Sequence, residues 1–254
     1  MPTKGPKDAK KTGSDSAPSV ATASLNPVAI LRTPFAEKFG VPRQSGLVEE
    51  AEGLVEFLPE FSAPEFVRGL DSFSHVWLVT GFHKNPAWAG AATVRPPRLG
   101  GNERVGVFAS RSPQRPNGLG LSLVRLLAIE PGVLRVAGID CVDGTPVFDI
   151  KPYLPWCEAL PEARAEWAGA APDQRAAERV HIPAALEEKI LNHGATGGPA
   201  VLALIRNLLR LDLQPAYQDD PDRTYGATIA GWNIRWCYAG ETVELFAAKY
   251  VGRR

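Results

Sequence analysis

HVWLVTGF (75–82), LSLVRLLAI (121–129) and LRVAGIDCV (134–142) decide the fold of this 254-residue chain. Each is short and rich in β-branched or aromatic residues, and turn-forming residues stand between them, as expected of strands that end in turns. Working outward, PVAILR (27–32), LVEFLP (54–59) and RVGVFAS (104–110) read the same way. One helix is signalled among them. Ser62 and Glu65 form a capping box, Pro64 suits the first turn, and Phe66, Val67 and Leu70 recur at helical spacing. Several short strands with so few helices between them point to an antiparallel sheet or barrel and against a doubly wound parallel sheet.

The character changes after Pro161. An Ala-rich polar stretch reads as a linker over 162–175. Two helices follow, IPAALEEKILNH opening with Pro183 and PAVLALIRNLLRLDL from Pro199. TYGATIAGWNIRWCYAGETVELFAAKYV then alternates around Trp232, Ile234 and Trp236 and turns at Ala239-Gly240, as a hairpin or small sheet does. The expected division is a disordered tail over 1–25, a mainly β domain over 26–161, and a smaller α+β domain over 176–254. The tail carries Lys4, Lys7, Lys10 and Lys11 against Asp8 and Asp15, and is either an untidy terminus or a weak RNA tether.

Composition removes several function classes. Lys plus Arg and Asp plus Glu both number 28, and the pI is about 6.9, so no global positive field holds nucleic acid; any such binding needs a local patch. Cys141, Cys157 and Cys237 are too widely spaced for a zinc ribbon or a disulfide framework. His75 and His83 have no acidic pair at ligand spacing, so no metal site is expected. No apolar run is long enough to span a membrane, and the lysine-bearing start lacks a signal peptide's apolar core; a cytoplasmic protein with reduced thiols is expected. GxSxG and Walker loops are absent, and Gly118-Leu119-Gly120 lacks the third glycine and the helix of a dinucleotide loop.

Two stretches concentrate chemistry. Segment 95–125 holds Arg95, Arg98, Arg104, Arg111, Arg115 and Arg125 against Glu103 alone. Arginines on stiff, turn-rich backbone suit a carboxylate or phosphate, or else pair with the glutamates between 49 and 65. In the second stretch, Asp143-Gly144-Thr145-Pro146 forms a turn, after which Asp149, Lys151 and Tyr153 alternate onto one face of an extended segment. That trio either manages a proton and a polar ligand or contains a structural Asp149–Lys151 ion pair. Pro42-Arg43-Gln44 is a third polar turn.

VPRQSGL (41–47), GLDSFSHVWLVTGFHKN (69–85), TVRPPRLGGNERVGVFASRSPQRPNGLGLS (93–122) and DCVDGTPVFDIKPYLP (140–155), in that order, resemble the TrmO (TsaA-like) tRNA methyltransferase family. Residues 214–236 are similar to its bacterial C-terminal domain, so the resemblance spans about 27–254. It implies a small antiparallel β-barrel cofactor domain with a smaller α+β C-terminal domain, assembled as a homodimer. It also implies S-adenosylmethionine as cofactor and the threonylcarbamoylated anticodon loop of threonine tRNA as substrate, methylated on N6 of the modified adenosine. Carried over by motif, the cofactor contacts are Pro42, Arg43, Gln44, His83, Lys84, Arg111, Leu121, Asp143, Gly144, Thr145, Pro146 and Asp149. Arg111 would face the cofactor's carboxylate, the loop from Asp143 to Asp149 the adenine edge, and Leu121 the ring.

The acceptor nitrogen is conjugated to purine and carbamoyl, so its lone pair is dispersed and it needs a proton acceptor or strict positioning. Asp149, Lys151 and Tyr153 are the catalytic candidates, with Arg115 and Asn117 as positioning groups. Gly118-Leu119 replaces the family's usual Pro-Ile after Arg-Pro-Asn, and His83-Lys84 stands where relatives vary. Two other readings remain: a noncatalytic RNA-binding barrel, and a methyltransferase of the same fold for another small substrate. Trp232, Trp236 and Tyr225 are either base-stacking groups or hairpin core.

Overall fold

The computed structural model describes residues 24–96, 99, 102–170, 172–211, 213–214 and 223–252. Residues 1–23 of the expected tail, and Arg98, lie outside that set. The strands are β1 (Ala29–Arg32), β2 (Glu52–Phe57), β3 (His75–Gly81), β4 (Thr93–Val94), β5 (Val105–Gly106), β6 (Leu119–Glu130), β7 (Val133–Ala137), β8 (Thr145–Pro152), β9 (Val180–His181), β10 (Thr224–Ile229), β11 (Trp232–Ala239) and β12 (Thr242–Tyr250). The α-helices are α1 (Pro155–Glu158), α2 (Ala184–Leu191) and α3 (Pro199–Arg210).

Six strands close into a barrel in the order β1-β2-β7-β6-β3-β8, and every neighbouring pair is antiparallel. Closure depends on strands that change partner midway. The first half of β6 lies on β3, while its second half, from Arg125 on, lies on β7 with a register shift between Leu126 and Ala128. β8 begins on β1 and continues on β3, with a shift that leaves Phe148 as an extra residue. Such bulges bend a strand and raise its twist, which a small closed sheet requires. Val76, Leu78, Val124, Leu134, Val136 and Val147 fill the interior with essentially no solvent exposure. Gly120 faces Thr80 across the β3–β6 pair, where an added Cβ would lie 2.6 Å from the Thr80 Oγ1.

The helix expected from Ser62 onward does not form. Two 3-10 turns stand in its place, Pro64–Val67 and Leu70–Ser72, and a third, Pro59–Phe61, precedes them. The Ser62 hydroxyl donates back to the Pro59 carbonyl at 2.8 Å, and Gly69, at φ +83°, breaks the run before Leu70. Local capping signals cannot extend a helix through a left-handed glycine. RVGVFAS likewise yields only the two residues of β5 before a 3-10 turn over Val107–Ala109.

Past the barrel, residues 162–175 hold a 3-10 turn at Glu166–Ala168, and Gln174 bridges to Leu211. β10, β11 and β12 form an antiparallel sheet that β9 extends in parallel. α2 starts just after Pro183, and α3 buries Leu204, Ile205, Leu208 and Leu209 against the sheet's inner face. Trp232 and Trp236 are fully buried there and Tyr225 is 6% exposed, so these three rings are core and not stacking groups for RNA.

Candidate functional site

Antiparallel order brings the ends of β1, β3 and β7 and the starts of β2, β6 and β8 to one rim of the barrel. Three connections cross that rim: 33–51, 82–118 and 138–144. The expected cofactor residues lie in these loops or on the adjoining strand positions, except that Asp149 sits further along β8.

Loop 33–51 is fixed residue by residue. The Thr33 N–H donates to Asp143 Oδ1 at 2.9 Å, and the Asp143 N–H donates to the Phe35 carbonyl at 2.8 Å. The ammonium of Lys84 donates to the Ala36 carbonyl at 2.8 Å. The C-terminal sheet holds the same loop from the other side. Phe35 is fully buried and bridges to Ile229, and Phe39 stacks on Tyr225 and Trp236 at 6.0 and 5.8 Å. Arg43 then donates to the Gln214 carbonyl at 2.8 Å, and Arg111 Nη1 donates to Gln44 Oε1 at 2.7 Å. One Nη2–H of Arg43 is thus held by backbone and the rest of its guanidinium is exposed, while Arg111 has no acidic partner among the described residues.

Beside this turn, His83 Nδ1 lies 3.5 Å from Thr145 Oγ1, whose hydroxyl donates to the Val142 carbonyl at 2.6 Å. Burial, and then the Lys84 charge, lower the His83 pKa, which favours the neutral ring. Gly144, at φ +79°, carries the loop past that ring. On another side of His83 opens a cleft of about 310 Å³, lined by Asn85, Trp88, Pro113, Arg115 and Asn117 among others. The rim therefore gathers Gln44, Arg111, His83 and Asp143–Pro146, and the cleft adds Arg115 and Asn117.

The remaining candidates run down the outer wall. The bulge at Phe148 matters here: Thr145 and Val147 point inward, and without an extra residue Asp149 would follow them into the core. It pairs instead with Val79, which pairs with Leu121, giving an outward row whose Leu121 is 55% exposed. Lys151 follows in the next row, beside Trp77. Its ammonium meets Asp149 Oδ2 at 3.0 Å, with both side chains at least half exposed. Tyr153 packs edge-on against Trp77 at 6.2 Å. At about 3.3 Å per residue, and with one residue taken up by the bulge, Lys151 is about 17 Å from Thr145 and Tyr153 is further still. The structure does not bring Lys151 or Tyr153 to the rim.

The alternative pairing of the 95–125 arginines fails among the described residues. Glu52, Glu56 and Glu65 are paired with Arg135, Arg32 and Arg68, and Glu50 accepts from Asn207. Sequence reasoning missed Asp140. Ser122 Oγ donates to its Oδ1 at 2.5 Å, the Ser45 N–H also reaches it, and burial raises its pKa against those bonds. The carboxylate pins the Gln44 turn to β6. The neighbouring Cys141 thiol is pushed up to about 12, chiefly by burial and then by Asp140, which leaves it inert. A single acid beside a cysteine carries no signal in sequence. Phe35 and Phe39, which anchor the rim loop on the C-terminal sheet, were missed because a single aromatic in a loop carries no local signal either.

Among the described residues no group of three or more His, Cys, Asp or Glu side chains is placed to hold a metal ion. No helix there is long and apolar enough to cross a membrane.

The geometry defines the class: a closed antiparallel barrel with the candidate residues gathered on loops at one rim, without the glycine-rich strand-to-helix turn of dinucleotide folds. The family model for the tRNA-methyltransferase O N-terminal domain matches residues 30–159, and that for the TrmO C-terminal domain matches 175–249. The chain belongs to the TrmO family. It is 41% identical over 226 residues to the tRNA (adenine(37)-N6)-methyltransferase of Escherichia coli K12, covering 87% of this chain and 95% of that protein. It is 43% identical to the putative S-adenosylmethionine-dependent methyltransferase RcsF of Pseudomonas aeruginosa PAO1, covering 85% and 93%. A crystal structure of TrmO from P. aeruginosa superposes with a TM-score of 0.76 at 35% identity, covering 90% of this chain and 98% of that one.

Proposed function

We propose that this chain methylates the N6 nitrogen of N6-threonylcarbamoyladenosine beside the anticodon of threonine tRNA, as a cytoplasmic homodimer. As a member of the TrmO family it is an S-adenosylmethionine-dependent tRNA methyltransferase. The observation that carries the reading is the convergence at one rim of the Gln44–Arg111 pair with His83 and the Asp143–Pro146 turn.

These residues fit the cofactor. Arg111 offers a guanidinium with no acidic partner among the described residues, suited to a carboxylate. The turn through Gly144 presents backbone to an adenine edge, and Leu121 offers exposed apolar surface. Bound there, S-adenosylmethionine supplies a methyl group on a sulfonium, a leaving group that needs no acid from the protein. The chain's own task is then to position a weak nucleophile and take its proton. Arg115 and Asn117 hold the acceptor from the cleft, and the substrate's carboxylate gives an arginine there a second use. Asp149 is the member of the outer-wall trio nearest the rim and is the proton acceptor of choice. Lys151 and Tyr153 act only on a substrate that extends along the wall.

Methyl transfer to threonine tRNA with and without the threonylcarbamoyl group, followed by nucleoside mass analysis, tests this. Methylation confined to the modified tRNA is expected. Equal methylation of both, or none of either, overturns the substrate assignment.

A further inference from the structure

We infer that the cleft between Trp88 and the Arg115–Gly118 turn receives the target adenine of the RNA, with the indole of Trp88 as its stacking wall. The inference rests on the tRNA-methyltransferase reading above and names the surface that holds the base.

Trp88 is 40% exposed, yet its orientation is set, because the indole N–H donates to the Ala91 carbonyl at 3.1 Å. A pinned, half-exposed aromatic ring offers a flat surface at little entropic cost on binding. The cleft around it is braced. Asn85 Nδ2 donates to the Pro113 carbonyl at 3.2 Å, tying one wall to the other, and the Phe82 N–H donates to the Gly118 carbonyl at 2.8 Å. Gly118, at φ +59°, closes a turn whose N–H returns to the Arg115 carbonyl at 3.1 Å.

The opening of about 310 Å³ is at the small end of ligand pockets and suits a single base with its substituent. An aromatic face beside an amide and a guanidinium is how proteins hold a base drawn out of its stack: the ring takes the π face, and the polar groups take the edges. Asn117 is exposed, and Arg115 spends Nη1 on the Ser110 carbonyl at 3.2 Å while lining the cleft. The cofactor also carries an adenine. His83 borders both the rim and the cleft, but Gln44, Arg111 and the Asp143–Pro146 turn lie outside the cleft lining, so the RNA base is assigned to the cleft and the cofactor to the rim.

The test uses the full-length protein, threonine tRNA bearing the modified adenosine, and the variants Trp88→Ala and Trp88→Phe. Trp88→Ala should raise the KM for tRNA about tenfold or more, in keeping with the cost of losing one stacked base. S-adenosylmethionine affinity by calorimetry and the melting temperature should stay at wild-type values, and Trp88→Phe should recover most of the loss. Independently of any folding defect in the alanine variant, tRNA should quench the fluorescence of the wild-type protein more than that of Trp88→Phe. An unchanged KM for tRNA, a loss of cofactor affinity in its place, or equal quenching overturns the inference. Failure of the wild-type protein to methylate any tRNA would instead strike the reading on which it rests.

Discussion

The C-terminal sheet and the barrel rim both use aromatic and arginine side chains, but they are built differently. In the sheet, every second residue of β11 from Trp232 to Tyr238 is buried, and regular alternation does the work. At the rim, order comes from single bonds between loops distant in sequence, such as Arg111 to Gln44 and Thr33 to Asp143. A hydrophobic face can be specified by a short repeat, whereas a polar site must be specified one partner at a time. The two regions are also joined. Phe35 and Phe39 leave the rim loop and enter the sheet's aromatic layer, so the regular region holds the irregular one in place.

That dependence can be broken first at the sheet. Trp236→Ala removes a fully buried ring that stacks on Phe39 and should cost about 3–5 kcal/mol in chemical denaturation. The milder Trp236→Leu should fold and still weaken S-adenosylmethionine binding in calorimetry, because the rim loop loses its anchor. Unaltered binding in a folded Trp236 variant would mean the rim holds itself.

Next comes the rim's own peg. Asp140→Ala leaves the Ser122 hydroxyl and the Ser45 N–H without their acceptor and should cost about 1–3 kcal/mol. Burial raises the native pKa of Asp140 above its unfolded value, so the native state holds that proton more tightly. The side chain's contribution is therefore greatest at acid pH and falls as pH rises through the native pKa. The gap between wild type and Asp140→Ala in urea midpoints should narrow from acid toward neutral pH. A gap that widens would show the carboxylate to be better held than its burial implies.

Much of the barrel was legible because strand burial alternates: Val76, Leu78 and Thr80 face in while Trp77 and Val79 do not. The stack-or-core question for Trp232 and Trp236 was answerable the same way, since Asn233 and Arg235 lie between them on the open face. The helix at 62–70 misled because its signals are local, and the break at Gly69 outweighs them. The placement of Asp149 on the outer wall follows from a bulge at Phe148, and nothing in TPVFDIKP marks that position. The rim was legible only as a set of turns. Which residues those turns meet depends on contacts as remote as Arg43 with Gln214, and no local pattern encodes them.

The outer wall supplies a sharper contrast. Lys151→Ala removes an exposed ion pair and should shift stability by less than about 0.5 kcal/mol. If the trio takes part in the reaction, turnover should nevertheless fall by about tenfold or more. A fully active variant would confine the chemistry to the rim and cleft. The smallest expected effect is at His83. Its native pKa lies below the ordinary imidazole value of 6.5, chiefly through burial, so the unfolded chain binds the proton more readily. The stability this provides is complete above that value and declines as pH falls below it. His83→Gln cannot take the proton in either state, so its melting temperature should drop less than that of wild type between about pH 7.5 and about pH 5. Parallel declines would mean that the ring is as well hydrated in the folded protein as outside it.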